Sequence, residues 1–396
     1  MVASTSPRQV YVGPRGTSLP TGTLQSATID SGDVIATFDD RTVTFVADWL
    51  RDNCPCDECR IVQTDERRWQ PWVDTTAAQA LTASVADGVL DVEWASGHRS
   101  SYPADLWHRL ETASRRGAYT ANLWDAGYEL ERFDHDAAVS DAVTRRQLFE
   151  AFMRDGAIIV TGSPTVPGTC IDFVRALGLT LRDSSLGLIF DVKVDPAGFN
   201  VAYTSEYIPP HNDNAQYTEP PSGQVLAMLV NDATGGESVV VDGWSIVAKL
   251  QEIDPDAVDV LSRVAVGHRQ YSVTAEGFSR NPLIKRDATG AVSHLRFSNQ
   301  LRQPFTHDQD DLAAWYRAYR QLGTIIADPA NHVSFRLEAG DMLFVNGYRV
   351  LHSRNAFQVD GPRHLQDVYF DVDDVVGNLA RMTGDAQNLM NATVSS

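Results

Sequence analysis

Long apolar runs are missing from this chain. No stretch approaches the roughly 18 consecutive apolar residues that a membrane-spanning helix needs. The first thirty residues are polar, with Gly, Ser, Thr and Pro scattered through them, and hold no apolar segment of the kind a secretory signal requires. The expected compartment is therefore the cytoplasm. Positive charge is also short: 33 Lys and Arg stand against 52 Asp and Glu, a net charge of −19 with no dense basic run. A nucleic-acid binder needs a basic face, so that class of partner is not expected; the acidity reads as solubility. Cysteine is scarce, and three of the four (Cys54, Cys56 and Cys59, but not Cys170) fall within six residues. Such crowding in a chain without an export signal argues against a disulfide framework and for a metal site. Internal repeats and low-complexity tracts are absent.

What is present suits one large core and a smaller domain. The chain has 396 residues, 43% hydrophobic and 21% charged. Residues 1–25 read as a flexible tail. Residues 26–115 read as a small β domain, in which Asp39-Asp40, Asp87-Gly88 and Ser96-Gly97 turn short β-branched segments. Residues 103–115 form a helix that leaves it, and 116–139 read as a linker. From 140 to 390, many short strands alternate with a few helices, at about 145–154, 244–250, 257–264 and 312–327, with Ser140 and Thr144 as N-cap candidates for the first. The expected class is mainly β with supporting helices, a jelly-roll barrel.

Cys54-Pro-Cys56-Asp-Glu-Cys59 puts three thiols in one tight loop. Thiolates favour Zn(II), and a structural site takes four ligands in tetrahedral array. His98, in a turn after a strand of the same domain, is the expected fourth; His108 competes but falls on the helix. Without a metal these would be three reduced thiols in a loop. Closed coordination implies a structural role, and a small β domain gains folding free energy from it. Cys170 stands alone and reads as a core thiol.

A second constellation has a different character. His211 and Asp213 are two apart, and on extended backbone residues i and i+2 face one side. His352 follows a turn at Gly340 and an apolar strand. Two His and one carboxylate on one face of an octahedral ion leave the opposite face open, as in non-haem iron oxygenases. A lone His-x-Asp is weak, and His352 alone reads equally as a core histidine. Arg363 adds weight: it lies eleven residues after His352, where a guanidinium can pair bidentately with a carboxylate such as the distal one of 2-oxoglutarate.

With these motifs, and with Asn200-Val-Ala-Tyr203, Pro220-Pro-Ser-Gly-Gln224, Gly235-Gly-Glu-Ser238 and Arg363-His-Leu-Gln-Asp-Val-Tyr369, the chain resembles the γ-butyrobetaine and trimethyllysine hydroxylase branch of the taurine dioxygenase-like superfamily. The resemblance implies a double-stranded β-helix preceded by a zinc domain held by Cys54, Cys56, Cys59 and His98. It implies Fe(II), 2-oxoglutarate and O2 as reactants, hydroxylation of a substrate C–H bond, succinate and CO2 as coproducts, and a homodimer. Carried over by position, His211, Asp213 and His352 hold iron, Arg363 and Ser238 bind the distal carboxylate of 2-oxoglutarate, and Asn200 and Leu226 line the cosubstrate or substrate pocket. Asp213 argues against a halogenase, which needs that position vacated for chloride.

The sequence departs from that branch in the substrate pocket. Betaine hydroxylases hold a trimethylammonium group in an aromatic cage. Two cage positions remain aromatic, Tyr203 and Tyr369, whereas the other two fall at Ser184 and Leu188, and an Asn that binds the substrate carboxylate falls at Ser298, beside Asn299. Half a cage binds a quaternary ammonium weakly, each ring contributing about 0.5–2 kcal/mol. The expected substrate is a small polar or zwitterionic metabolite other than γ-butyrobetaine. The alternatives are a γ-butyrobetaine-type hydroxylase proper, the same chemistry ending in desaturation or cyclisation, or a non-catalytic metal-binding protein on the same barrel.

Overall fold

The computed structural model describes residues 8–14, 16–61, 63–73, 78–198, 200–272 and 275–384. Residues 1–7 of the expected tail, Phe199 and residues 385–390 of the expected catalytic domain lie outside the described residues. Among the described residues, no helix is long and apolar enough to cross a membrane.

The chain divides into two units, residues 14–117 with 380–384 and residues 8–13 with 118–379. In the smaller unit, alternating patterns give two three-stranded antiparallel sheets, Leu24–Asp30, Asp33–Phe38 and Thr42–Phe45, and Ala80–Ala86, Val89–Trp94 and Arg99–Tyr102. The buried positions recur every second residue, as in Asp33–Phe38, so each strand offers one face to a core of Val34, Ala36, Leu90, Val92 and Trp94. Trp107, on the helix Leu106–Ser114, stacks on Phe45 at 4.8 Å.

The larger unit holds the jelly roll. Its major sheet runs in the order Arg132–Asp134, Ala157–Thr161, Met342–Asn346, Gly223–Asn231, Arg363–Phe370, Leu181–Arg182, with Phe190–Val192 also on Arg363–Phe370. The minor sheet runs Ile208–His211, Val350–Arg354, Ser238–Asp242, Val333–Phe335. From Ile208 onward the chain passes repeatedly from one sheet to the other, which is how a double-stranded β-helix is wound. Met342–Asn346 and Ser238–Asp242 are buried at every position, which explains their unbroken apolar reading. Ile159, Met228, Val240, Leu343 and Val350 fill the core between the sheets. The helices Gly243–Ile253, Pro255–Arg263 and Gln309–Ala327 share a second core around Leu250, Leu261, Trp315 and Leu322.

Three boundary expectations change. Arg8–Val12 is a strand, paired antiparallel with Tyr119–Leu123, and not part of a loose tail. The same pairing, with the strand Arg132–Asp134 and the helix His135–Ser140, makes residues 118–139 of the expected linker 116–139 part of the larger unit. The short apolar alternations of these strands are too brief to register without their partners. The helix Ala142–Asp155 is capped by Asp141, which accepts from the Val143 and Thr144 amides; Ser140 ends the preceding helix, and Thr144 donates its hydroxyl to Asp141.

Candidate active site

Strand register brings the distant ligand candidates together. His211 ends the strand Ile208–His211 and lies opposite His352 on Val350–Arg354. Asp213 follows two residues later. His211 Nε2 lies 3.4 Å from Asp213 Oδ1, His352 Nε2 lies 3.6 Å from Asp213 Oδ2, and the imidazole centroids are 4.3 Å apart. All three ligand atoms lie within 4.8 Å of one another. His211 Nδ1 is 2.9 Å from the Pro209 carbonyl, which can only accept, so Nδ1 carries a proton and Nε2 is the nitrogen turned to the cluster, available as a ligand once a metal displaces any proton there. Burial and the neighbouring His211 push His352 down to about 4, leaving it neutral. Burial alone would push the Asp213 carboxyl up; the rings of His352 and His211 and the Tyr369 hydroxyl outweigh it and hold Asp213 below the usual range. Two imidazole lone pairs and an ionised carboxylate on one side of a cavity can hold one divalent ion with open positions.

A second set of residues fixes Asp213. Gln224 Nε2 donates to Asp213 Oδ2 at 2.7 Å and to Asp367 Oδ2 at 3.0 Å. The Tyr369 hydroxyl lies 3.0 Å from Asp213 Oδ2 and 2.6 Å from Asp367 Oδ2. Burial and the charge of Asp213 push the Asp367 carboxyl well above its ordinary range, a bias toward the neutral form that a cation bound beside it reverses.

The cavity that opens on the three residues is lined by Asn200, Leu226, Ser238 and Arg363, and also by Arg354 and Asp367. The space it outlines, part of it open to solvent, is about 730 Å³. Arg363 is buried at 8% exposure and stands over Phe357 at 5.2 Å, with its Nε unpartnered. Among the described residues no carboxylate pairs with Arg363 or with its neighbour Arg354. Burial, with Arg336 beside Arg363 and Arg363 beside Arg354, lowers both guanidinium groups to about 10, so both remain cationic at neutral pH. Two buried cations without a counter-charge make this end of the cavity a receptor for an anion.

The expected substrate residues fare differently. Tyr369 lines the cavity, but its hydroxyl is turned to Asp213 and Asp367. Tyr203 does not line it; its ring packs edge-on against Phe190, which does. Ser184 closes a turn by accepting from the Leu186 amide, and this places Leu186, not Leu188, at the cavity wall. Ser298 is buried away from the cavity, and Asn299 is exposed and accepts from the Tyr319 hydroxyl at 2.8 Å. Asp367, Asn214, Gln270 and Arg354 also line the cavity and are not among the residues expected from the sequence. For Asp367 the signal was available: with a period of two, Arg363, Leu365, Asp367 and Tyr369 share one face of their strand.

In the smaller unit, His98 Nε2 lies 3.5 Å from Cys54 Sγ and 3.6 Å from both Cys56 Sγ and Cys59 Sγ. A tetrahedral ion with Zn–S of about 2.3 Å and Zn–N of about 2.0 Å separates N and S by about 3.5 Å, so this donor set fits zinc. His98 Nδ1 meets Glu58 at 3.2 Å, and Arg51 donates to Cys59 Sγ at 2.9 Å. His108 lies exposed on its helix. Cys170 is buried, its thiol pushed up to about 12 by burial and the charge of Asp367.

Residues 120–369 match the family described as "Taurine catabolism dioxygenase TauD, TfdA family", and residues 28–108 match "Gamma-butyrobetaine hydroxylase-like, N-terminal". The chain belongs to the TauD/TfdA dioxygenase family. It is an iron(II)- and 2-oxoglutarate-dependent oxygenase, as the motif resemblance implies. Relatives in this family include the gamma-butyrobetaine dioxygenase of Pseudomonas sp. (strain AK-1), 33% identical over 363 residues that cover 89% of this chain and 94% of the relative. The gamma-butyrobetaine dioxygenase of Homo sapiens is 24% identical, covering 86% and 92%, and the mitochondrial trimethyllysine dioxygenase of Rattus norvegicus is 25% identical, covering 85% and 82%.

Proposed function

We propose that this dioxygenase hydroxylates a C–H bond of a small polar or zwitterionic metabolite, with His211, Asp213 and His352 holding the iron and Arg363 holding the distal carboxylate of 2-oxoglutarate. The observation that carries the reading is Arg363: a buried guanidinium with no protein carboxylate to pair it, in the same cavity as two His and an Asp that can share one ion. The chemistry that iron and 2-oxoglutarate supply when bound is activation of O2 coupled to oxidative decarboxylation of the keto acid. The chain's own residues position and exclude. The Pro209 carbonyl fixes the tautomer of His211, Gln224 and Tyr369 orient Asp213, and Ser238 and Asn200 border the anion end. Leu186, Phe190, Val192, Leu226 and Leu365 form an apolar wall that keeps water from the reacting centre.

Among the described residues, two aromatic side chains other than the imidazoles line the cavity, Phe190 and Tyr369, and Tyr369 is engaged through its hydroxyl. That favours a substrate other than a quaternary ammonium such as γ-butyrobetaine. In the smaller unit, Cys54, Cys56, Cys59 and His98 are the ligands of a structural zinc.

The test is uncoupled turnover. With Fe(II), 2-oxoglutarate and ascorbate, the wild type forms succinate slowly without substrate. Arg363→Ala raises the 2-oxoglutarate concentration for half-maximal succinate by about 10²-fold, the loss of a charge-assisted pair worth about 1.5–3 kcal/mol. Equal behaviour of Arg363→Ala and wild type removes the main support for this assignment.

A further inference from the structure

Among the described residues, four aspartates are less than about a tenth exposed, and three of them have cationic partners. Asp242 is paired by Arg349 at 2.8 Å, Asp155 by Arg154, and Asp341 by Arg132 at 3.8 Å. Asp367 is as buried as these, at 2% exposure, yet no Lys, Arg or His among the described residues lies within ion-pairing distance of it. Its Oδ2 is occupied by Gln224 and Tyr369, whereas Oδ1 is buried without a partner. Of these four, Asp367 alone lines the cavity.

A matching donor lies in the same cavity. Asn214 is 3% exposed, held in the left-handed region at φ +56°, and its Oδ1 already accepts from Gln216 at 3.3 Å. Its Nδ2 is buried with no acceptor. The cavity therefore presents an acceptor lacking a donor and a donor lacking an acceptor. Each vacancy is costly inside a protein unless a ligand fills it.

The chemistry of the free acceptor selects among cations. A carboxylate oxygen rewards an N–H directed at it, giving a short charge-assisted hydrogen bond. A trimethylammonium group has no N–H, and its methyl groups hold the charge away from the oxygen; it is better served by the faces of aromatic rings, which are few here.

We propose that Asp367 anchors an N–H-bearing ammonium group of the substrate, with Asn214 Nδ2 donating to an oxygen of the same molecule, so that the enzyme acts on a small primary or secondary amino compound such as an amino acid and discriminates against its N-trimethylated counterpart. The inference rests on the dioxygenase reading of the cavity and names the substrate class within it.

The experiment uses the full chain loaded with Fe(II) and 2-oxoglutarate, and matched probes: 4-aminobutyrate, β-alanine and lysine, each against its N-trimethyl derivative. Substrate-stimulated succinate formation is measured aerobically, and probe binding is followed anaerobically through the visible absorbance of the Fe(II)–2-oxoglutarate complex. At least one amine is expected to bind about 10-fold or more tightly than its trimethylated partner. Asp367→Asn should cut that ratio to within about 2-fold, and Asp367→Glu should restore the preference for the amine. The ratio is the readout because weakened folding or metal binding lowers both members of a pair together. A panel in which no amine outbinds its trimethylated form overturns the proposal, as does an Asp367→Asn ratio equal to that of wild type. Absence of 2-oxoglutarate-dependent succinate under every condition instead fails the underlying dioxygenase assignment of these residues, and is seen separately in the probe-free control.

Discussion

His211 donates through Nδ1 to the Pro209 carbonyl, and that single bond decides which nitrogen is left for a metal. Asp213 is governed in the same way from the other side, by Gln224 at 2.7 Å and Tyr369 at 3.0 Å. These contacts set ligand direction rather than supply ligands. Gln224→Leu or Tyr369→Phe should therefore weaken Fe(II) binding by about 10–100-fold while leaving the melting temperature of the metal-free protein within a few degrees; direct metal titration checks this. Unchanged iron affinity in both variants would reduce these bonds to packing. Tyr369 also illustrates what residue type alone conceals. As an aromatic at a cage position it reads as a ring face, and its hydroxyl turns out to carry its main contacts.

At the scale of elements, the helix Gly243–Ile253 is tied to the barrel by one buried pair. Asp242 accepts from the Trp244 and Ser245 amides as N-cap and from the Trp124 amide, while Arg349 holds both of its oxygens at 3.1 and 2.8 Å. Both side chains are fully buried. Arg349 lies three residues before His352, so the pair anchors the strand that delivers a ligand candidate. Gly243 fits here because a Cβ would meet the Arg349 carbonyl oxygen at 2.5 Å. Arg349→Met should destabilise the fold by about 3–5 kcal/mol, since it strands a buried carboxylate, and Arg349→Met with Asp242→Asn should cost less than the single change. Denaturant unfolding of the three variants checks the order.

At the scale of the molecule, two environments control stability. The smaller unit has a modest core and a thiol-imidazole cluster whose spacing fits zinc. Chelation, or Cys59→Ser, should bring out a lower-temperature unfolding transition followed by Trp94 and Trp107 fluorescence, with loss of about one equivalent of zinc by elemental analysis. A single unchanged transition would exclude a structural metal. The larger unit carries two buried histidines. His294, stacked on Tyr348 at 4.1 Å, is pushed down to about 3 by burial, Arg296 and Lys285; His268 is pushed down to about 4 by burial, Arg296 and Arg302. Both are neutral in the fold and take up a proton on unfolding near their ordinary value of 6.5. Their contribution is thus fully present above about pH 6.5 and is lost as pH falls through 6.5 toward 4. The loss between pH 7 and 5.5 should be about 2 kcal/mol for the two together. His268→Gln and His294→Gln should each flatten that pH dependence, as measured by denaturant midpoints across the range.

Much of this protein was determined by its sequence. The thiol spacing of Cys54, Cys56 and Cys59, the two-residue step from His211 to Asp213, and the alternation of short strands are local properties, and local geometry transmits them directly to the fold. So are the apolar strands around Met342 and Ser238, whose burial on both faces leaves no other reading. Tertiary structure decided the rest, because it depends on partners far away in the chain. Arg8–Val12 becomes a strand only beside Tyr119–Leu123. The turn at Ser184 puts Leu186 on the wall, and the hydroxyl of Tyr369 swings from a substrate cage to a carboxylate. Above all, three buried aspartates are given an arginine by the fold and Asp367 is not. A sequence records that carboxylate; only packing shows that one of its oxygens is buried without a protein partner.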